Sequence, residues 1–405
     1  MRILLTNHEL ARRTGTELLT AELALALRGR GHEVAVFTWG RGVLADGLEE
    51  EGVPVAADPR ALPFVPEVIH GQHHLATMAA LTAWPGVPGL YFCHGVRPFD
   101  EQPPRHPRLG LYLSMAAINN DWLARAAGVG PERVATLPNW FDPLRFRTVR
   151  DPATPATRAA LFSNRLGPGP LYEAVRAACA RHGLELHGLG HGFGTPTESP
   201  EAELPGQAVV FATGRSALEA LACGCAVIPL DPAVGLGSLV SPEDFDEQRD
   251  RNWCVYRRPQ DVTAAAVETE LSRLSPAATA EVTLRVRREL TLGQAVGALE
   301  NQYRRVIGGE GGSRDGRTSA QALDSTGSAA LVEYFRFLAA RTHEADEAFV
   351  EARRDARAAG KIPHLRDEAA AARRSLRGLI QRLRATWWGR RFLRRHGGWQ
   401  DGPAE

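Results

Sequence analysis

Short apolar segments alternate with helix-forming segments along the N-terminal part of the chain. Residues 2–6 are apolar, residues 16–30 place Leu and Ala at helical spacing, and residues 33–38 are apolar again after Gly31 and His32. This order predicts right-handed βαβ units and a mostly parallel sheet. Further strands are predicted at residues 53–56, 67–70, 89–94, 114–118 and 134–137.

The alternation starts again after a polar, Pro-containing stretch at residues 142–157. Predicted strands follow at residues 158–163, 184–187, 208–212 and 225–230, with helices at 171–182 and 216–222. We therefore predict an α/β protein with two Rossmann-like domains, residues 1–142 and 143–307, that face each other across a cleft. Open parallel sheets bind ligands at the carboxyl ends of their strands, so this cleft is the predicted site.

The C-terminal part of the chain has a different composition. Residues 308–328 are rich in Gly, Ser, Thr and Asp, which predicts a flexible linker, and residues 329–405 predict a helical basic tail. Within it, residues 373–396 contain nine Arg and no acidic residue, with Leu and Trp at helical spacing. Such a helix suits an anionic membrane surface. Packing on the α/β core, self-association and, less well, nucleic-acid binding are the alternatives.

Composition excludes several classes of protein. The formal net charge is +1, so no global field favours nucleic acid. The five Cys form no CxxC pair, and we see no N-terminal signal segment, which together favour the cytoplasm, with peripheral attachment to the inner face of a membrane left open. No apolar run approaches the ~20 residues that span a bilayer.

The most specific segment is residues 213–224, TGRSALEALACG. A strand leads into a glycine turn at Gly214, a helix begins at Ser216, and Gly224 ends it. The first turn of a helix offers unpaired backbone N–H groups and the positive end of the helix dipole, which suit a phosphate. Glu219 lies one turn further on the same side as Arg215 and Ser216, where its carboxylate can accept hydrogen bonds from two hydroxyls, as of a ribose.

The segment EALACGCAVI, residues 219–228, resembles a motif of the GT-B glycosyltransferases, in particular the retaining family 4 type. The resemblance implies that Glu219 binds the ribose of a nucleotide-sugar. An ordinary βαβ crossover whose helix ends in a Gly cap would give a similar pattern.

Four other segments, in the right order over residues 1–307, support the resemblance. They are RTGTE at 13–17, FCHG at 92–95, PNWFD at 138–142 with Phe146, and FSNRL at 162–166. The resemblance implies that Gly15 lets the backbone approach the sugar diphosphate, that Gly15 and Thr16 line the floor of the site, and that His94 contacts the transferred sugar.

Two positions depart from the family pattern. The Lys that the family has five residues after Arg165 is Pro170 here, and its paired Glu, eight residues before Glu219, is Phe211. We expect Arg215 to replace the Lys, because a guanidinium can hold a phosphate with two hydrogen bonds. The competing interpretation is that donor binding has been lost and the chain is non-catalytic.

Three other signals are interpreted as structural. Asp244 and Asp246 form a DxD, but no strand precedes it, so we expect no metal there. His70, His73 and His74 have zinc-like spacing but straddle a strand end and a helix start, where they need not converge. The glycines of residues 188–192 precede no long helix, so a dinucleotide fingerprint is not expected.

The sequence thus predicts a metal-independent glycosyltransferase without a cofactor, in which a nucleotide-sugar is the donor substrate. His94, Arg165 and Arg215 are the predicted catalytic residues, the two Arg as stabilisers of the departing nucleoside diphosphate. Gly15, Thr16, Gly214, Ser216 and Glu219 are the predicted donor-binding residues. Retention at the anomeric carbon is implied by the resemblance alone. The acceptor is a glycan, a lipid-linked molecule or a small molecule; the alternative is a non-catalytic GT-B-like module that binds a partner or a glycan.

Overall fold

The seven-stranded sheet of the first domain is parallel throughout, as the alternating sequence predicts. The computed structural model describes residues 1–13, 15–96, 99–255 and 260–309, and the helical residues 331, 332, 335, 336 and 338. All of them belong to one compact unit, Met1–Thr342. The rest of the predicted linker and tail, including residues 373–396, lies outside the described residues.

Chain order and spatial order differ in this first sheet. Its strands are β1 (Arg2–Thr6), β2 (Glu33–Phe37), β3 (Val55–Ala56), β4 (Val68–Gly71), β5 (Gly89–Cys93), β6 (Leu109–Ser114) and β7 (Val134–Thr136). The connecting helices are α1 (Gly15–Gly29), α2 (Val43–Glu50), α3 (His74–Ala83) and α4 (Asn120–Ala127). The spatial order is β3-β2-β1-β4-β5-β6-β7, so the winding direction reverses between β1 and β4. A crevice forms at such a switch point.

The second domain repeats the design with a smaller parallel sheet. Its strands are β8 (Arg158–Phe162), β9 (Glu185–Leu189), β10 (Val209–Phe211) and β11 (Ala226–Ile228). The helices α5 (Pro170–Arg181), α6 (Pro200–Glu203) and α7 (Gly214–Ala222) lie between them. The spatial order is β11-β10-β8-β9, which places the switch point between β8 and β10.

The chain after β11 completes the second domain and then returns to the first. It forms a short antiparallel hairpin and four helices, namely β12 (Leu230–Asp231), β13 (Gly235–Leu236), α8 (Phe245–Asp250), α9 (Ala264–Leu271), α10 (Pro276–Glu289) and α11 (Leu292–Ile307). Helix α11 packs beside α1 on the first sheet through Val296, Leu299 and Tyr303. The two segments that connect the domains meet where the N–H of Phe141 donates to Leu290 O and the N–H of Leu292 donates to Phe141 O.

Both faces of each sheet are buried, which explains the near-continuous apolar character of the strands. In the first sheet, Leu5 and Phe92 face α1 and α11, while Ile69 and Tyr91 face α3 and α4. Val332, only 1% exposed, also packs on this second face, so the core of the first domain includes a residue beyond Ile307. The domain bounds themselves, residues 1–142 and 143–307, stay a prediction from the sequence.

One predicted strand is wrong. Residues 114–118 were expected to be extended, but β6 ends at Ser114 and residues 117–119 form a 3-10 turn that leads into α4. The turn is stabilised by the Ser114 hydroxyl, which donates to the side-chain oxygen of Asn120 at 2.5 Å. Among the helices within the described ranges, none combines the length and apolar character needed to cross a membrane.

Candidate functional site

The glycine turn of the second domain lies at the switch point of its sheet. Arg165 follows β8 and Gly214 follows β10, the two strands between which the winding reverses. Gly214 has a φ of 61°, a left-handed conformation that favours glycine. The preceding residue, Thr213, makes no side-chain cap of α7. The N-terminal amides of α7 therefore lack a side-chain cap at the position where open sheets bind ligands.

Arg215 is held by two carboxylates. Its Nε donates to Glu219 Oε1 at 2.7 Å, and its Nη2 donates to Oε1 of Glu22, which lies on α1 of the first domain. The side chains of Arg215 and Glu22 are 14% and 16% exposed. Burial alone would lower the pKa of Arg215, but the two carboxylates outweigh it and raise the pKa, so the guanidinium stays charged.

Glu219 faces the same guanidinium from one turn further along α7. Burial raises the pKa of its carboxyl, and the charge of Arg215 opposes that rise. Because Arg215 lies between Glu219 and Glu22, the predicted ribose ligand and the predicted phosphate ligand are in contact with each other. The structure thus brings Glu219, Arg215 and the Gly214 turn together in one place.

Sequence reasoning missed Glu22. An acidic residue on an amphipathic helix ordinarily faces solvent, and nothing in its spacing from Gly15 indicates a partner in another domain. Its pairing with Arg215 spans 193 positions of the chain. Only the packing of the two domains creates it.

Arg165 is the most exposed of the predicted site residues. Its side chain is 82% exposed, and its Nη1 lies 3.9 Å from Asp231 Oδ2, on the strand that follows β11. The N–H of Arg165 is bonded to the hydroxyl of Ser163, which shapes the loop after β8. Arg165 thus lies at the carboxyl edge of the second sheet, free to reach a ligand.

A strained loop that the sequence did not indicate borders the Gly214 turn. Asn252 and Trp253 have φ angles of 54° and 56°, which cost energy for residues other than glycine. Trp253 is buried against Phe245, and the side-chain oxygen of Asn252 accepts a hydrogen bond from Nδ2 of Asn139 at 2.6 Å. Strain of this kind is held where the surrounding structure enforces it, often at functional sites.

On the first domain, Gly15 is the first residue of α1 and is exposed. A methyl group added at Gly15 would meet no other protein atom within 4 Å, so protein packing does not itself require glycine there. The carbonyl of the next residue, Thr16, accepts hydrogen bonds from the side chains of Asn7 and Thr20. These contacts fix the start of α1 beside the end of β1.

His94 follows β5 and is held in one orientation. Its Nε2 lies 2.7 Å from Gln72 Oε1, and its Nδ1 lies 3.2 Å from Met115 Sδ. Burial lowers the pKa of His94 to about 3, with a smaller contribution from His70. The ring is therefore neutral at physiological pH.

The other histidines of this edge have separate partners. His70 Nδ1 lies 2.6 Å from the hydroxyl of Tyr303, and His74 Nδ1 lies 2.8 Å from the carbonyl of Gln102. His73 has a φ of 61°. Its Nδ1 accepts a hydrogen bond from the backbone N–H of His8, and its Nε2 lies 3.8 Å from Oε1 of Glu101. The described residues contain no group of three or more side chains placed to hold a metal ion.

Comparisons with known proteins agree on the architecture. No protein-family model and no curated protein matches the sequence. Solved structures do match. A glycosyltransferase from Rickettsia africae ESF-5 is 14% identical, with a TM-score of 0.57 over 76% of this chain and 99% of that chain. Anabaena HepE in complex with UDP is 13% identical, with a TM-score of 0.52 over 75% of this chain and 100% of that chain. Sucrose-phosphate synthase from Thermosynechococcus elongatus is 16% identical, with a TM-score of 0.52 over 76% and 99%.

The chain has the GT-B fold. It consists of two Rossmann-like domains, and Glu22 with Arg215 joins a helix of one to a helix of the other. This confirms the fold class predicted from the sequence and explains why the predicted site residues come from both halves of the chain.

The two departures from the GT-B motif pattern have plain structural consequences. Pro170 is the first residue of α5, where its missing N–H costs nothing, but it supplies no cation. Phe211 is the last residue of β10 and is fully buried in the core of the second domain. Neither position offers a polar group to the GT-B cleft.

The DxD carboxylates of this GT-B chain already have partners. Asp244 accepts hydrogen bonds from the N–H and the hydroxyl of Ser241. Asp246 forms ion pairs with Arg249 and Arg285, each at 2.9 Å. Both residues belong to the start of α8, where they stabilise the helix and its neighbours.

Proposed function

We propose that this GT-B chain is a glycosyltransferase that moves a sugar from a nucleotide-sugar to an acceptor. One observation carries the proposal: an uncapped helix N-terminus, a buried guanidinium and a buried carboxylate lie together after Gly214, at the switch point of the second sheet. A diphosphate needs positive charge and N–H donors, and a ribose needs an acceptor for its hydroxyls.

The chemistry assigned to these residues is stabilisation of the leaving group. Breaking the bond between sugar and phosphate leaves negative charge on the nucleoside diphosphate, which fixed donors stabilise most in the transition state. Arg215, Arg165 and the N-terminal amides of α7 supply that charge and those donors. Glu219 accepts the ribose hydroxyls. The proposal assigns no metal ion to this step, and Asp244 and Asp246 are engaged elsewhere.

The similar solved structures suggest the first ligands to test. One structure of Anabaena HepE contains UDP and another, 14% identical to this chain with a TM-score of 0.52, contains UDP-glucose. These ligands belong to HepE. For this chain they make UDP the natural probe of the nucleotide site, with GDP, TDP and ADP beside it.

The first domain would present the sugar and the acceptor. Gly15 leaves open space at the start of α1, and Thr16 lies beside it. The neutral ring of His94 would contact the transferred sugar. Retention at the anomeric carbon is part of the proposal on the strength of the motif resemblance, and proton NMR of the product formed from an α-linked donor tests it.

The proposal is less specific about the acceptor and about where in the cell the enzyme acts. Residues 373–396, outside the described residues, contain nine Arg and no acidic residue. The nine positive charges, together with the Leu and Trp between them, would hold a cytoplasmic enzyme at an anionic membrane surface beside a lipid-linked acceptor. Flotation with phosphatidylglycerol vesicles tests this part by comparing the full chain with one that ends at Thr342, the last residue of the compact unit. Equal recovery of both proteins would contradict it.

A non-catalytic GT-B module is the second candidate. It is favoured by the engagement of Arg215 with two carboxylates and by the absence of the family's Lys at Pro170. Titration calorimetry with UDP, GDP, TDP and ADP separates the two functions. We expect one of the four to bind, and turnover of the corresponding nucleotide-sugar to persist in EDTA. No binding of any of them would contradict the glycosyltransferase proposal.

A further inference from the structure

The contact between Glu22 and Arg215 joins the two domains at the place where the donor diphosphate is proposed to bind. Glu22 belongs to α1 and Arg215 to the first turn of α7. The guanidinium has three nitrogens. Nε is bonded to Glu219 and Nη2 to Glu22, while Nη1 is buried and has no hydrogen-bond partner. Oε2 of Glu22 is also buried without a partner.

The charges of this cluster do not balance. One guanidinium faces two carboxylates, so Glu22, Arg215 and Glu219 together have a formal charge of −1. Arg145, whose charge also acts on Glu219, is itself neutralised by Glu201 at 2.9 Å. An anionic diphosphate that approached Arg215 in this state would meet net negative charge, and like charges at close range oppose binding.

Glu219 and Glu22 differ in what they do for Arg215. Glu219 is on the same helix, four residues further on, and would neutralise the guanidinium by itself. Glu22 reaches Arg215 from the other domain and takes the outer nitrogen Nη2, next to the unpartnered Nη1. Nη1 and Nη2 form the edge of a guanidinium that grips a phosphate with two parallel hydrogen bonds.

We propose that Glu22 is a latch: it occupies the phosphate-binding edge of Arg215 when no donor is bound, and the donor diphosphate displaces it. The proposal rests on the proposed function and adds a regulation of the same site. Displacement leaves Arg215 paired with Glu219 and the diphosphate, so the cation keeps two anionic partners throughout. It also breaks the ion pair between α1 and α7.

The latch predicts that removing the charge of Glu22 strengthens nucleotide binding. Glu22→Gln keeps the shape of the side chain, and Glu22→Ala removes the contact. In both, Arg215 retains Glu219. We expect UDP, or whichever nucleoside diphosphate the unaltered chain binds, to bind about fivefold tighter or more by titration calorimetry. The corresponding nucleoside, which has no phosphate, should bind as it does to the unaltered chain.

The control is the ion pair of Arg41 with Glu49, in which Glu49 lies on α2 and is bonded to Arg41 rather than to Arg215. Glu49→Gln removes the same kind of charge and should leave nucleotide binding unchanged. Circular dichroism melts of all variants show that each is folded. A purely structural role of Glu22 would lower the melting temperature without a selective gain for the phosphate-bearing ligand.

The outcomes are distinct. Tighter binding of the diphosphate alone supports the latch. Unchanged or weaker diphosphate binding in both Glu22 variants overturns it while the proposed function stands. If neither the unaltered chain nor the variants bind any nucleoside diphosphate, the proposed function itself fails and the latch with it.

Discussion

The side-chain amide of Asn139 donates to the side-chain oxygen of Asn252 at 2.6 Å and so connects the domain junction to the strained loop beside Gly214. A methyl group added at Gly214 would lie 3.8 Å from Nδ2 of Asn252. The loop, the junction and the glycine turn therefore form one connected structure. Changes at the junction should reach the proposed nucleotide site through this contact.

Asn139→Ala tests that connection. The substitution leaves the side-chain oxygen of Asn252 without a hydrogen-bond donor, while the backbone of Asn252 keeps its left-handed conformation. We therefore expect a loss of about 1–2 kcal/mol in the free energy of unfolding. Urea denaturation measures it. Asn252→Gly is the companion variant, because it loses the same hydrogen bond but relieves the strain, so it should be the milder of the two. Equal losses would show that strain contributes little.

Glu219→Ala should weaken nucleotide binding without unfolding the protein. Loss of hydrogen bonds between a carboxylate and ribose hydroxyls should cost about 1.5–3 kcal/mol of binding free energy. Because the lost contacts are to the ribose, binding of uridine, which has no phosphate, should weaken, in contrast to the Glu22 variants. For UDP the loss is partly offset, because the substitution also removes a carboxylate from Arg215. Calorimetry that finds the parental affinity for the nucleoside would exclude the ribose role.

Arg165→Ala should lower activity more than it lowers nucleoside binding. The side chain is 82% exposed, so its removal should change the free energy of unfolding by no more than about 0.5 kcal/mol. The measurement is turnover of the nucleotide-sugar beside calorimetry with the nucleoside. Asp231→Asn, which removes the carboxylate 3.9 Å away, should affect turnover less. An unaltered rate in Arg165→Ala would remove this residue from the site.

Thr291→Ala should destabilise the return helix. The hydroxyl of Thr291 accepts a hydrogen bond from the backbone N–H of Gln294 and so caps α11. The side-chain oxygen of Gln294 accepts one from the backbone N–H of Thr291, which completes a capping box. Loss of an N-cap costs about 1 kcal/mol. Thermal unfolding measures the effect. Thr269→Ala, whose hydroxyl bonds only within α9, is the control and should change stability less.

Acid should destabilise the first domain through its buried histidines. Burial lowers the pKa of His70, His73 and His94 to about 3, against 6.5 in the unfolded chain. Burial raises the pKa of Glu101 to about 7 from 4.5. Counting these four groups alone, between pH 6.5 and 4.5 the unfolded chain binds three protons at the histidines that the folded chain lacks, and the folded chain binds one at Glu101.

Stability should consequently fall as the pH drops through that window, on the order of 2–3 kcal/mol per pH unit for the net two protons. Urea denaturation at several pH values gives the slope. Glu101→Gln removes the opposing proton and should steepen it, whereas His70→Gln should flatten it by about one proton. A slope unaffected by both substitutions would contradict the assignment to these groups.

The regular elements of both domains could be predicted because their signals are local. Apolar runs and residue spacing predict the strand at residues 2–6 and the helix that follows it. A glycine placed just before a helix predicts the turn at Gly214. The prediction failed at residues 114–118, because side-chain bonds of Ser114 and Asn120 outweigh the apolar character of the segment.

The sequence by itself determined the two parallel sheets, their order along the chain and the place of the glycine turn at Gly214, since these depend on residues close together in the chain. Only the tertiary structure decided which charges share that site. Glu22 meets Arg215 across 193 positions and Asn139 meets Asn252 across 113. Such contacts arise from the packing of one domain against the other, and a polar residue on a helix or loop gives no local sign of the partner that packing will bring to it.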